Sequence, residues 1–259
     1  MSDYLRITLW FGLSFLLFAG SVSAMNQNEA GDWRDVARAA NLAYIEKRYG
    51  VAANLYEAAV KAMENSSQTP DAIIDVLANQ SECLVKSGRF AEAARCLARC
   101  QELVGLHHLD REPVAIRVLN RVDMLKISRG DNPAVCLAIR TQRLQLAEAL
   151  FGEHAELVHS YLYPVVASLF DAKRYLEVIE IGKRGLKLLE GSKSSSVPAY
   201  LVELTHPIAM SYLELGRPDE AKECYQKLIS YLRNIPEASD YLQEALVQYQ
   251  EVERRRSTN

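Results

Sequence analysis

Apolar residues recur along the chain at the spacing of amphipathic α-helices, and the helices come in pairs. In the clearest pair, Ala209, Tyr212 and Leu213 have the i, i+3, i+4 spacing that places apolar side chains on one helix face. Gly216 marks the end of that helix. Pro218 follows where a second helix can begin, because a proline at the first helical position loses no backbone hydrogen bond. The predicted unit is two short helices joined by a tight turn.

The same unit recurs about five times. The residues that open each second helix are about 42 residues apart, and a fixed period of this kind is typical of solenoid proteins. In a solenoid, each helix pair buries its apolar face only against neighbouring pairs. The pattern therefore predicts an all-α solenoid. The equivalent turn positions are Tyr49, Phe90, Asn132, Tyr175 and Pro218.

The joints between the helices resemble those of the tetratricopeptide repeat family. The stretches Ser87-Gly-Arg-Phe-Ala-Glu-Ala93 and Leu215-Gly-Arg-Pro-Asp-Glu-Ala221 are the best matches. Repeats of that family are usually about 34 residues long. The longer period here, and the joint at residues 148–158, resemble the kinesin-light-chain type. The resemblance covers roughly residues 32–230 and implies a right-handed superhelix of about five long repeats.

The predicted domain organisation has three parts. A signal peptide occupies residues 1–24, the repeat domain residues 32–236, and a capping helix with a basic tail residues 237–259. The first helix is expected from Trp33 to about Lys47. The capping helix is expected from Glu237 to Arg255, because the open end of a solenoid needs a cover. The predicted repeats span about 32–70, 71–112, 113–155, 156–197 and 198–236.

The N-terminal segment predicts export. The run from Ile7 to Gly20 is apolar and uncharged, as in a signal peptide, and the small residues before Met25 fit cleavage after Ala24. Cleavage would give a periplasmic or secreted protein without a membrane span. Two alternatives stay open: residues 7–25 anchor the chain in a membrane, or Met25 is the true start and the protein is cytoplasmic. The five cysteines beyond the cleavage site weigh mildly against export.

Composition excludes several functional classes. The formal net charge of −3 argues against a general nucleic-acid binder, which normally carries a strongly basic face. No phosphate-binding loop or catalytic motif is present, so we predict neither an enzyme nor a cofactor. Cys96 and Cys100, with His107 and His108 just beyond, have some potential as zinc ligands. Their spacing is not that of a common zinc motif, and burial at helix crossings explains the cysteines better.

Repeat three departs from the pattern. Asp123 stands where the other repeats place a small residue at the helix crossing. Either the phase slips by one residue here, which leaves Val122 inside, or the helix crossing is looser, and of the two we expect the slip.

The resemblance implies that the inner face of the superhelix, lined by the first helix of each pair, binds a protein or peptide. Asparagine amides can bind a peptide backbone and arginine can pair with carboxylates, so we predict an acidic segment at repeats one to three. A solvated surface without a ligand is the alternative interpretation of these side chains. The candidate residues are Arg34, Arg38, Asn41, Tyr44, Asn79, Arg117, Asn120 and Arg121.

Two functions fit this sequence. The first is a non-enzymatic adaptor or scaffold that binds a protein through its groove. The alternative is a structural subunit of a larger assembly, formed with copies of itself or with a membrane complex. It would use the repeat edges and the apolar face of the C-terminal helix between Tyr241 and Tyr249. The sequence predicts no oligomeric state.

Overall fold

The computed structural model describes residues 32–152, 155–190, 192 and 194–258, and the regular structure in these ranges is helical throughout. The predicted signal peptide, with its cleavage site at Ala24, lies outside the described residues. The α-helices of the described chain are α1 (Trp33–Ile45), α2 (Tyr49–Glu64), α3 (Pro70–Lys86), α4 (Phe90–Leu106), α5 (Pro113–Arg129), α6 (Pro133–Phe151), α7 (Ala155–Asp171), α8 (Tyr175–Leu189), α9 (Val197–Glu214), α10 (Pro218–Leu232) and α11 (Ser239–Thr258).

The helices pack in two layers. Each helix contacts the next one along the chain, as expected for consecutive helix pairs joined by short turns. First helices of neighbouring repeats also contact each other, α3 with α5 and α7 with α9, whereas the second helices approach each other much less. The first helices therefore form an inner layer and the second helices an outer one. This arrangement confirms the predicted all-α solenoid.

The two helices of a pair cross where their side chains are small. Seven of the eight crossing residues are Ala or Val and the eighth is Ser81, and all eight are completely buried. Small side chains let two helix axes approach closely, so the neighbouring large apolar residues can interdigitate. The crossing residues are Ala40, Ser81, Val166 and Ala209 in the first helices, and Ala52, Ala93, Val178 and Ala221 in the second.

The turn within each pair uses one left-handed residue. In three repeats it is a glycine, which adopts positive φ without steric cost. In repeats one and four a lysine takes this place, with φ of 61° at Lys47 and 58° at Lys173. Helix α1 ends at Ile45 and not at Lys47, because Lys47 already belongs to the turn. The glycines at this position are Gly88, Gly130 and Gly216.

The Gly-Arg-x-x-Glu joint has a simple structural role. Arg89 occupies the N-cap of α4, and its guanidinium donates two hydrogen bonds, of 2.7 and 2.6 Å, to the carboxylate of Glu92 in the first turn. Arg174 and Glu177 repeat this contact at α8. A carboxylate in the first turn interacts favourably with the helix dipole, and the arginine holds it there. Arg217 and Glu220 form the same pair at α10.

The expected slip in repeat three is wrong. Asp123 itself occupies the helix crossing and is only 5% exposed, while Val122 is partly buried. Arg143 Nη1 donates to Asp123 Oδ2 at 2.8 Å, and Arg140 Nε lies 3.1 Å from the same oxygen. Both arginines come from α6, 17 and 20 residues further along the chain. Because two guanidinium groups neutralise the carboxylate, it can replace a small residue at the crossing.

Arg140 also joins repeat three to repeat four. Arg140 Nη1 donates to the hydroxyl of Ser168 on α7 and lies 3.5 Å from the carbonyl oxygen of Pro164. The contact crosses from an outer helix of one repeat to the inner helix of the next. The cluster of Asp123, Arg140, Arg143 and Ser168 is therefore a polar link inside the solenoid.

The C-terminal helix covers the end of repeat five. A short 3-10 helix, Pro236–Ala238, precedes α11, so the helix begins at Ser239 and not at the expected Glu237. Helix α11 packs against α9 and α10, and Ala245 and Val252 are fully buried there. It occupies the place that the first helix of another repeat would take.

We expect Gly182→Ala to destabilise the protein by about 1–3 kcal/mol, because a Cβ atom there would lie 2.6 Å from Cγ1 of the buried Ile208. Gly105, also helical, has open space around it, so Gly105→Ala should stabilise by up to about 1 kcal/mol. Urea unfolding followed by circular dichroism measures both changes. Equal effects of the two variants would contradict the close packing of α8 on α9.

We expect Asp123→Asn to cost about 3–5 kcal/mol, because it leaves two arginines clustered without their carboxylate. The control is Asp35→Asn, which breaks an exposed pair with Arg38 and should cost less than about 1 kcal/mol. The urea midpoints of the two variants give the comparison. Similar midpoints would show that the Asp123 cluster is not a structural link.

Candidate protein-binding groove

The inner face of repeats one to three carries a cluster of charged and aromatic side chains centred on Glu82. Its carboxylate accepts a hydrogen bond from the Tyr44 hydroxyl at 2.5 Å and forms ion pairs with Arg121 at 2.6 Å and Lys86 at 3.2 Å. The Lys86 ammonium also donates to the Tyr44 oxygen at 2.6 Å and lies over the rings of Tyr44 and Tyr49. We call Glu82, Tyr44, Lys86 and Arg121 the Glu82 cluster.

The Glu82 cluster stabilises the ionised carboxylate. Burial by itself would raise the pKa of Glu82, but the charge of Arg121 and the hydrogen bonds from Tyr44 and Lys86 lower it overall. Burial and the neighbouring carboxylate raise the pKa of Tyr44 to about 12, so this hydroxyl keeps its proton and donates. The cluster joins the first helices of three successive repeats.

A second ion pair lies nearer the helix N-termini. Arg117 Nε donates to Asp75 Oδ1 at 2.7 Å, and both residues stand six positions before the crossing residue of their repeats. Burial raises the pKa of Asp75 and the charge of Arg117 partly offsets this. Equivalent positions in adjacent repeats thus meet on the inner face.

The structure brings together only some of the predicted binding residues. Tyr44, Arg117 and Arg121 lie on the inner face, where each already has a partner within the chain. Asn79 and Asn120 lie on the same face and are partly exposed.

The other predicted residues contact their own repeat. Asn41 accepts a hydrogen bond from Tyr56 on α2, so it connects the helices of repeat one. Arg38 pairs with Asp35 one turn away on an exposed part of α1. The guanidinium of Arg34 lies 4.7 Å from the centre of the Trp33 ring.

The inner face changes character at repeats four and five. The position two residues before the crossing, which is Arg38, Asn79 or Arg121 in the earlier repeats, is Pro164 in α7 and Pro207 in α9. A proline inside a helix has no N–H to donate to the carbonyl four residues earlier. The polar row of the first three repeats therefore stops here.

A buried histidine, His159, lies on α7 five residues before Pro164. His159 is 3% exposed, and its ring stacks on Tyr200 with 4.0 Å between ring centres. The imidazole has a hydrogen bond to the Tyr200 backbone, while its Nε2 has no hydrogen-bond partner among the described residues. The Glu203 carboxylate lies 3.9 Å from Nε2. Burial lowers the pKa of His159 to about 4, so the ring is neutral near pH 7.

The carboxyl group of Glu203 is shifted in the opposite direction. Burial, and then the nearby charge of Glu244 on α11, raise its pKa to about 7. The usual order of the two pKa values is thus reversed: the Glu203 carboxyl group keeps its proton to a higher pH than the imidazole of His159 does, and it is partly ionised near pH 7.

A chain of hydrogen bonds connects His206 on α9 with the C-terminal helix. The hydroxyl of Tyr225 lies 2.8 Å from His206 Nδ1 and donates to Gln248 at 3.0 Å. Gln248 donates in turn to Glu244 at 3.3 Å. Helices α9, α10 and α11 are held together by these contacts.

The described residues show no metal site, since they include no group of three or more His, Cys, Asp and Glu side chains placed to hold an ion. All five cysteines carry free thiols, and burial raises the pKa of Cys83 and Cys100 to about 12. Such thiols are poor nucleophiles near pH 7. In the same part of the chain, no helix combines the length and apolar character that a membrane span requires.

Glu203 and His159 were not among the binding residues predicted from the sequence. Glu203 stands six residues before the crossing residue Ala209, as Asp75 and Arg117 do in their repeats, so the repeat spacing could have identified it. His159 stands seven before the crossing residue, where other repeats have buried apolar residues. Nothing in the sequence indicates that its Nε2 is unpaired.

Two layers of paired helices, a small residue at each crossing and a polar inner face define the class of protein as a helical-repeat solenoid. Residues 207–234 match the tetratricopeptide repeat family. This match, together with solved structures that share the fold, confirms the resemblance to tetratricopeptide repeat proteins. A comparison with curated proteins gives no match.

Several solved structures share the fold. A candidate kinesin light chain of Podosopora anserina with nearly identical TPR-like repeats superposes with a TM-score of 0.62 at 12% identity, covering 78% of this chain and 96% of that one. BtubC (BKLC) of P. vanneervenii gives 0.60 at 15% identity, over 87% and 80% of the two chains. A Rap protein complexed with Competence and Sporulation Factor gives 0.51 at 15% identity, over 85% and 62%. At these identities the likeness concerns the fold.

The reversed pair predicts a specific pH dependence. The stability that Glu203 contributes is full below its ordinary pKa of 4.5 and is lost as the pH rises through about 7. The His159 contribution is full above 6.5 and is lost as the pH falls through about 4. Glu203→Gln removes only the first. Relative to this variant, the wild type should lose thermal stability as the pH rises from 4.5 through about 7.

Thermal midpoints of both proteins across this range provide the test. The acid loss due to His159 is common to both chains and cancels in the difference. A difference that stays constant with pH would show that Glu203 titrates normally.

Proposed function

We propose that the protein is a non-enzymatic adaptor that binds a segment of a partner protein along its inner face. The observation that carries this proposal is the inner layer of first helices, whose polar and aromatic side chains are held in place by contacts between repeats. A surface that is already ordered loses little conformational entropy when a ligand binds. The ordering cost then falls on the partner segment.

The likeness to the Rap protein supports a ligand-binding role. That protein was solved in complex with Competence and Sporulation Factor, and it shares the solenoid fold over most of this chain. In the present chain, Asn79 and Asn120 are the polar groups of the inner face best placed to contact an extended backbone. Each amide offers both a donor and an acceptor.

The charge of repeats one to three favours an acidic segment. The basic side chains of their first helices are more numerous than the carboxylates that pair with them. An acidic ligand would exchange some of these internal ion pairs for its own. The basic residues of these helices are Arg34, Arg38, Lys86, Arg117, Arg121, Lys126 and Arg129, and the acidic ones are Asp35, Asp71, Asp75, Glu82 and Asp123.

The alternative, a structural subunit, has less support. It would use the apolar face of α11, but Ala245 is fully buried and Tyr241 and Tyr249 are partly buried against repeat five. That face is occupied within the chain. Export after cleavage at Ala24 remains part of our proposal, on the sequence pattern alone.

Photo-crosslinking in the native cells tests the adaptor. A benzophenone amino acid at Asn79, on the inner face, should crosslink the full-length chain to a discrete partner protein identified by mass spectrometry. The matched control carries it at Gln101, an exposed residue of the outer helix α4. We expect at least about a tenfold higher yield at position 79, because binding energy concentrates where side chains are desolvated.

Two results would contradict the adaptor. Equal yields at both positions would show that the inner face has no special role. Crosslinks only between copies of this chain would favour the structural subunit.

A further inference from the structure

The inner face at repeats four and five holds unpaired hydrogen-bond acceptors around Glu203. The neutral His159 keeps a lone pair on one ring nitrogen, and Nε2 is the nitrogen without a partner among the described residues. The His159 side chain is 3% exposed, and the Glu203 carboxylate lies 3.9 Å from Nε2. When the Glu203 carboxyl group is ionised, two acceptors face each other there, and one donor between them would satisfy both.

A third acceptor comes from the backbone. The residue four positions after Glu203 is Pro207, which has no N–H for the Glu203 carbonyl. The Glu203 carbonyl thus lacks the backbone donor that it would normally have in a helix. Removing a helical hydrogen bond beside a carboxylate makes the site electronegative.

The surrounding charges strengthen this character. Glu244 on α11 is close enough to raise the pKa of Glu203. Arg255, whose charge lowers the pKa of His206, is already paired with Glu251 at 2.9 Å and approaches Glu214 at 3.9 Å. His206 is bonded to Tyr225 and its pKa is lowered by burial, so it supplies no positive charge near pH 7.

We propose that Glu203, His159 and Glu244 bind the ammonium group of a lysine side chain on the partner segment. The proposal rests on the function proposed above and assigns the ligand chemistry at one end of the groove. An ammonium group has three donors and no acceptor, which matches the acceptors that the site offers once Glu203 is ionised. Its positive charge replaces the proton of the Glu203 carboxyl group, which passes to solvent.

The geometry allows this contact. Hydrogen bonds of about 2.7–3.2 Å from one nitrogen can reach both Nε2 and the Glu203 carboxylate, since these two groups are 3.9 Å apart. The lysine must approach from the Glu203 side, because the Glu203 side chain is 46% exposed while His159 is covered.

Calorimetric titration of the full-length chain tests the site. The probe is a peptide of alternating serine and lysine, and its control is the same peptide with every lysine side chain acetylated. The variant Glu203→Gln keeps the shape of the side chain and removes the charge. Glu214→Gln is the matched control, because it makes the same change on the same helix at a carboxylate that faces Arg255.

We expect the lysine peptide to bind the wild type and Glu214→Gln within about twofold of each other, and Glu203→Gln at least about tenfold more weakly. In slightly acidic buffer, binding should release protons, seen as an enthalpy that depends on the ionisation enthalpy of the buffer. Glu203→Gln should lose this dependence. The acetylated peptide should not bind.

Three outcomes would overturn the assignment: no binding of the lysine peptide, equal binding of its acetylated form, or equal affinities of the Glu203→Gln and Glu214→Gln variants. Crosslinking from Asn79 separates this failure from that of the adaptor. A specific partner captured at position 79 together with a negative titration would reject the lysine site and leave the adaptor standing. If no partner is captured and the lysine peptide does not bind, both the adaptor and the lysine site are rejected.

Discussion

The close crossing of two helices in each repeat is the constraint on which the structure depends. A solenoid has no central core, so each helix pair is stabilised by its own crossing and by its neighbours. The helices can approach closely because Ala40, Ala209 and their counterparts are small, and these residues are completely buried as a result. Repeat three meets the same constraint differently, with Asp123 neutralised by Arg140 and Arg143. Once the crossings are fixed, the first helices form one continuous inner face.

The two halves of that face differ in how their polar groups are satisfied. In repeats one to three, carboxylates and cations of adjacent first helices pair with each other, as Glu82 does with Arg121. These contacts order the surface, while the side-chain amides of Asn79 and Asn120 remain partly exposed. In repeats four and five, prolines replace the polar row, and the buried His159 Nε2 has no hydrogen-bond partner among the described residues, with the Glu203 carboxylate 3.9 Å away. We infer that a partner segment with an acidic part and a lysine would satisfy both halves.

Helix pairing, the repeat period and the crossing residues could be predicted because they follow from local spacing. The turn at Gly88 could be placed because glycine favours positive φ, whereas Lys47 adopts the same conformation without any sequence signal and the end of α1 was misplaced. Asp123 was misjudged because the arginines that neutralise it lie on another helix. The pairing of Arg121 with Glu82 likewise depends on contacts between repeats, which spacing within one helix does not reveal.

Carboxyl footprinting of the complex with the captured partner tests the central claim most directly. Carbodiimide labelling and mass spectrometry report the reactivity of each exposed carboxylate with and without the partner. The inner carboxylates Glu203, Glu214 and Glu244 should lose reactivity on binding, while Glu102 and Glu223, exposed on the outer helices α4 and α10, should keep theirs. Protection of the outer residues with unchanged inner ones would contradict binding along the inner face.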